Sequence, residues 1–393
     1  NTFTDPTDLN SIVSYYLFYK ETIPQTKETY LSFLENKKIP IQNPIELFDK
    51  YFLKDTLFNY RAAYIALNKA YNYYTPESKG FFDQILATYY SFAGDIARSD
   101  SVWKQLAQTK DTCDCLQTGD ISDLLKIITR NQVVMFNEAH HVPKHRLFVS
   151  NLLDTLYNQG FRYLALEAFT GDSLFYQTGF LSADNGFYLR EPNFANLVRK
   201  AYKLGFKVFG YDDMSAMRDS IQAVNIFNQT IKKDVTAKVV VLAGWGHIDR
   251  NAMAGKFEKI SGIKPLTIDQ TIGYNFCNKN NKINTTHIFK PSSNMRGVKA
   301  DLYLFNNLDL HLAGKTNITI PDDIKDFCSI ICIYDEKEFE WIRSKNKIPI
   351  PVAIINPNET NELNGNLPTG EYIVVFQDDY GTILDKKRLS VNN

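Results

Sequence analysis

The chain has no surplus of charge. Its 393 residues hold 44 Lys and Arg against 44 Asp and Glu. A zero balance gives no electrostatic reason to expect a nucleic acid or an anionic membrane surface as partner. Cysteine is sparse: Cys113, Cys115, Cys277, Cys328 and Cys332 are odd in number and make no disulfide framework. Cys113 and Cys115 form a lone C-x-C without the second pair that a four-ligand zinc site needs, so both read as incidental thiols. No apolar run approaches the ~20 residues of a membrane helix, and no transmembrane segment is expected. No signal peptide is visible. The first residue is Asn1 rather than Met. That reads as a chain trimmed by processing or by design, with an exported or periplasmic location as the expectation.

What is present argues for a folded chain. Hydrophobic residues make up 44% and aromatic residues 13%, too many for a disordered polymer. At roughly 150 residues per domain, the length suits two or three. Residues 59–74, 81–92 and 95–106 carry apolar side chains at helical spacing. YYSFAGDIARSDSVW is similar to a tetratricopeptide helix–turn–helix, but one copy makes no repeat array. The region 1–118 reads as a helical cap or bundle that could meet a protein partner.

From Gln132 the pattern changes. Short apolar runs at 133–137, 163–167, 207–211, 238–243 and 265–268 alternate with helix-length segments at 143–158, 191–204, 215–232 and 249–261. Gly160 and Gly205 stand where helix C-caps belong. Repeated strand–helix units with wholly apolar strands predict an α/β fold, a mainly parallel sheet flanked by helices. This core spans 119–325. Segments 302–305, 328–334, 372–376 and 382–384, with a turn at 378–381, predict a small β-rich appendage over 326–393.

In open parallel sheets, ligand sites form beyond the carboxyl ends of the strands. The first strand is followed by Glu138, His140 and His141. The second ends at Glu167, the third at Asp212 and Asp213, and the fourth at Gly244-Trp245-Gly246-His247. Three of the six histidines therefore fall at strand ends. Asp212 and Asp213 also suit helix caps. Glu167 closes an apolar strand, where a charge needs a partner. Pro143 suits a first helical position, which puts His145 and Arg146 in the first turns of the helix. His141-x-x-x-His145 has the spacing of a helical two-histidine metal site, but it lacks the zincin glutamate and contains Pro143. Gly171-Asp172-Ser173-Leu174 spells a lipase motif without its Asp-x-x-His partner. Gly314-Lys315-Thr316 lacks the upstream glycine of a phosphate loop. No Gly-x-Ser-x-Gly elbow occurs.

These residues resemble a family. Glu138-Ala139-His140-His141, followed by a helix and by Gly160-Phe161 through Glu167, is similar to the erythromycin-esterase-like pattern. Arg218-Asp219 with Gln222-Ala223 and Asn225 resembles its helix motif, and Gly244-Trp245-Gly246-His247 its second histidine motif. The layout is shared with Tiki proteases and ChaN-like haem-binding proteins, and the match covers about residues 130–275. Asn137 stands for the family glycine and Gln222 for its methionine. These departures, and the added terminal regions, weigh against a macrolide substrate.

The resemblance implies a site that activates water. His141 would be the general base, Glu138 and Glu167 would orient and polarise it, and His247 would hold the substrate or an oxyanion. His140, Arg146, Asp212, Arg218 and Asn225 would support them. The chemistry is sound, because a neutral imidazole takes a proton from water near pH 7 and a carboxylate fixes its tautomer. The Tiki branch implies instead a divalent metal on Glu138, His141, Glu167 and His247. The ChaN branch implies haem or small-ligand binding without catalysis. The expected partner is a small-molecule or peptide substrate, split at an ester, amide or related bond.

Overall fold

The computed structural model describes residues 53–54, 57–70, 76–107, 116–277, 285–291, 297–310, 315–357, 362–364 and 367–392. Cys113, Cys115 and the end of the first expected helix lie outside them. The helical region forms α1 (Tyr60–Ala70), α2 (Pro76–Phe92) and α3 (Ile96–Ala107). Helices α2 and α3 pack together across a tight turn at Gly94, whose φ of 75° suits glycine.

The core is an eight-stranded sheet. Its strands are β1 (Leu116–Gly119), β2 (Val133–Glu138), β3 (Phe161–Leu166), β4 (Lys207–Gly210), β5 (Lys238–Gly244), β6 (Leu266–Asp269), β7 (Thr285–Lys290) and β8 (Leu302–Asn307). The order is β1-β7-β8-β6-β2-β5-β3-β4, with β7 antiparallel to both neighbours and the run from β8 to β4 parallel. Helices α4 (Ile121–Ile128), α5 (Pro143–Asn158), α6 (Ser173–Thr178), α7 (Pro192–Leu204), α8 (Arg218–Gln229), α9 (Met253–Ser261) and α10 (Thr271–Cys277) connect the strands.

The strands read as apolar runs because both faces are covered. Val134, Phe136, Leu164 and Leu166 pack with Phe148, Leu152 and Val198 of α5 and α7. Met135, Ala165, Val239 and Val241 pack with Ala223 and Ile226 of α8 and Phe257 of α9. Helix α5 starts at Pro143, the favourable first position, as expected. Helices α8 and α9 begin at Arg218 and Met253, later than the apolar pattern predicts, because Asp213 and Asp249 turn the preceding chain through side-chain bonds to the amides of Ser215 and Asn251.

The appendage is a four-stranded antiparallel sheet of β9 (Ile330–Asp335), β10 (Ala353–Ile355), β11 (Gly370–Gln377) and β12 (Ile383–Val391), with α11 (Glu336–Ser344) after β9. It docks on the core through Arg199 of α7, which forks onto Glu338 of α11 at 2.8 and 2.9 Å and also bonds the Ile350 carbonyl. Among the described residues no helix is long and apolar enough to cross a membrane.

Candidate active site

Register brings the strand ends level. Glu138 lies opposite Gly244 on β5, and Leu166 opposite Leu242 and Gly210. Glu167 follows directly and donates its amide to the Leu242 carbonyl at 3.2 Å. Alternation along the strands gives Glu138 the parity of Phe136, toward α5, and Glu167 the parity of Ala165, toward α8. Two carboxylates thus reach one edge of the sheet from its two faces.

Glu138 is anchored by Arg146. The guanidinium is fully buried on α5, 2.9 Å from Glu138 Oε2 and 3.2 Å from Glu191 Oε2, and it donates to the His140 carbonyl at 3.0 Å. Burial would raise the Glu138 pKa, but Arg146 and His140 outweigh it and hold the acid down at about 2. Nδ1 of His140 sits 2.7 Å from Glu138 Oε1. An ionised carboxylate accepts only, so Nδ1 carries the proton and Nε2 is the nitrogen open to a ligand. Tyr188 stacks on the ring, centroids 4.0 Å apart at 19°.

Glu167 is held from the other side. Arg218 Nη2 donates to its Oε1 at 2.6 Å, and the Gly244 amide donates to Oε2. Arg218 also forks onto Asp212, with Nε and Nη2 each at 2.8 Å, and Gln222 donates to Asp212 at 2.6 Å. His247 stands behind Glu167: its Nε2 is 3.5 Å from Glu167 Oε1 and its Nδ1 is 2.6 Å from Asp219. Burial alone would lower the His247 pKa, but the Asp219 bond and Glu167 raise it. Asn225 donates to the Tyr211 carbonyl at 3.1 Å and fixes the chain beyond β4.

The halves meet over Gly244. A β-carbon there would lie 2.7 Å from His140 Cε1 and 3.1 Å from Glu167 Oε2, so glycine makes room for both. Beside them is a cavity of about 480 Å³. His140, Glu167, Asp212 and Arg218 line its polar part, and Phe169, Tyr176, Phe187, Tyr188 and Phe209 its aromatic part.

The structure therefore brings together Glu138, His140, Arg146, Glu167, Asp212, Arg218 and His247, and sets Asn225 beside them. It does not bring His141. That side chain is only 3% exposed and packs away from the cavity, its ring 4.3 Å from Trp103 and 5.9 Å from both Trp245 and Tyr274. Of the two expected neighbours, His140 and not His141 stands on the cavity wall. Adjacent loop residues diverge, and the outward turn delivers the first imidazole to Glu138. Burial pushes the His141 pKa well down, so the ring is neutral. His145 accepts the Ala139 amide at 3.1 Å, and burial pulls its pKa down to about 3.

The lipase-like motif at Gly171–Leu174 has a plain structural role. Asp172 caps α6 by accepting the Phe175 amide at 2.8 Å, and Ser173 is exposed at its start. Two site residues escaped sequence reading. Tyr188 carries no motif. Glu191 reads as a cap before Pro192, although its carboxylate also meets Arg146. Asp219 was legible only beside Arg218 in the helix motif.

The donor set does not suit a divalent metal. Glu138 and Glu167 each face a guanidinium that a second cation would have to oppose. Among the described residues no three or more His, Cys, Asp or Glu side chains are grouped to hold a metal.

No protein-family model and no curated protein matches the chain. Among solved structures, one described as "The structure of the type III effector HopBA1" matches at 12% identity, over 48% of this chain and 95% of that chain, with a TM-score of 0.31. A likeness of that size transfers neither fold nor activity.

Proposed function

We propose that the cleft is the active site of a hydrolase acting on an ester, amide or related bond, with His140 as the base that takes a proton from water. The observation that carries this reading is the Glu138–His140 pair, 2.7 Å apart, with the imidazole on the cavity wall. A carboxylate ionised throughout the neutral range fixes the tautomer and strengthens Nε2 as an acceptor. Glu167, held by Arg218 and the Gly244 amide, accepts hydrogen bonds from the water or substrate over Gly244. His247 and Asp219 back Glu167, and the Asp219 bond and Glu167 favour the charged form of that imidazole. The aromatic wall suits an apolar part of the substrate.

The test is a panel of chromogenic esters and amides, assayed with and without a chelator. Turnover should persist with chelator and fall at least about 100-fold in His140→Ala. Absence of turnover across the panel, together with a Soret band on adding haemin, would replace this reading with haem binding.

A further inference from the structure

Beyond β5 the chain does something costly. Trp245 has a φ of +40°, in the left-handed region that a bulky residue rarely enters. Glycine flanks it on both sides, and a β-carbon on Gly246 would meet nothing within 4 Å. The left-handed conformation therefore falls on the tryptophan and not on either adjacent glycine. A strained residue persists only where its surroundings over-determine it, and such residues cluster at functional sites.

The surroundings are specific. The Trp245 amide donates to the Glu138 carbonyl at 2.9 Å, and its own carbonyl accepts from Asn137 at 2.9 Å. Its ring lies against Trp103 of α3, centroids 4.8 Å apart at 29°. The same Trp103 indole covers His141 at 4.3 Å. Three rings from three separate segments thus pack on one another. Two residues after Trp245 the chain returns to the cleft and sets His247 on Asp219 and Glu167.

We propose that Trp103 is a positioning residue for the cleft: lying over His141 and Trp245, it holds the left-handed turn that delivers His247 to Asp219 and Glu167. The helical region then completes the site from outside the sheet, and His141 acts through its ring face rather than through a nitrogen. The proposal rests on reading His247 as part of the working cleft, but not on turnover.

The test uses the full chain with 15N-labelled histidine. His247 on Asp219 and His140 on Glu138 should each give a hydrogen-bonded Nδ1 proton, and the second is an internal reference for the sheet edge. Asp219, Glu167 and Arg218 are the charged groups facing His247. Trp103→Ala should lose the His247 proton signal to exchange and return its titration midpoint toward that of a free histidine, leaving His140 unchanged. Trp103→Phe, which keeps a ring in place, should restore it. If the alanine variant does not fold, Trp103→Leu fills most of the volume without an aromatic face and should behave as the alanine variant would. A cooperatively folded Leu or Ala variant with an unmoved His247 signal overturns the proposal. So does joint loss of both histidine signals, which would mark Trp103 as ordinary packing. A protein without hydrolytic activity would still show both signals, so failure of the hydrolase reading is told apart.

Discussion

Nδ1 of His140 lies 2.7 Å from Oε1 of Glu138, and the same carboxylate meets the buried Arg146 guanidinium at 2.9 Å. Glu138 thus serves as hydrogen-bond acceptor for the base and as counter-ion in the core. Glu138→Gln keeps the shape and removes the charge. It should lower stability by about 3 kcal/mol, because Arg146 loses one of its two anions, and lower turnover about 100-fold. Urea denaturation and kcat/KM on one substrate check both, and a variant unchanged in either would refute the dual role.

Gly244 is the second sensitive point. A β-carbon 2.7 Å from His140 Cε1 leaves the ring no room. Gly244→Ala should displace His140 and cut activity about 100-fold, for about 1–3 kcal/mol of stability. Activity near that of the parent would show that His140 has slack.

The legible part of the fold and the hidden part have different physical origins. Strands β2, β3 and β5 were readable because both faces are covered, so each carries an apolar run of four or more residues at 133–136, 163–166 and 239–243. Helix α5 was readable at both ends, through Pro143 and through Gly160 just beyond it. The starts of α8 and α9 were not, because side-chain turns at Asp213 and Asp249 leave the apolar pattern unchanged. Strand-end position pointed to Glu138, Glu167, Asp212 and His247. It could not choose between His140 and His141, since no periodicity governs two neighbours in a turn. Tyr188 and Glu191 come from the segment between α6 and α7, which reaches the site only through tertiary packing.

Arg218 should not tolerate lysine. It holds Glu167 and forks onto Asp212 at once, and an ammonium is a point charge without that fork. Arg218→Lys should leave Glu167 loose and lower kcat by about 100-fold, with KM changed less. Equal kcat would remove Arg218 from the account.

Acid should destabilise the protein early. His141 and His145 are buried and neutral, with pKa values pushed down by burial, the latter to about 3. The unfolded chain takes up protons near pH 6.5 that the folded one refuses, so stability is full above that value and lost below it. Each such histidine removes about 1.4 kcal/mol per pH unit below about 6.5. Glu138 adds its own loss further down, between its ordinary value of 4.5 and about 2. His247 has the opposite sign, since its raised value stabilises below about 6.5 and fades as pH rises through the folded value, so it adds no slope in the acid window. Urea midpoints should fall steadily from pH 6.5 to pH 5, and less steeply in His145→Gln. A flat profile would contradict the burial of these rings.

The central claim is that His140, and not its neighbour, works on the substrate. The most direct measurement compares kcat/KM for His140→Ala and His141→Phe on one substrate, with circular dichroism to confirm folding. The account predicts a loss of at least about 100-fold for His140→Ala. His141→Phe, which keeps a ring under Trp103, should stay within about threefold of the parent, the scale of under 1 kcal/mol. Activity that survives His140→Ala and disappears in His141→Phe would contradict the account.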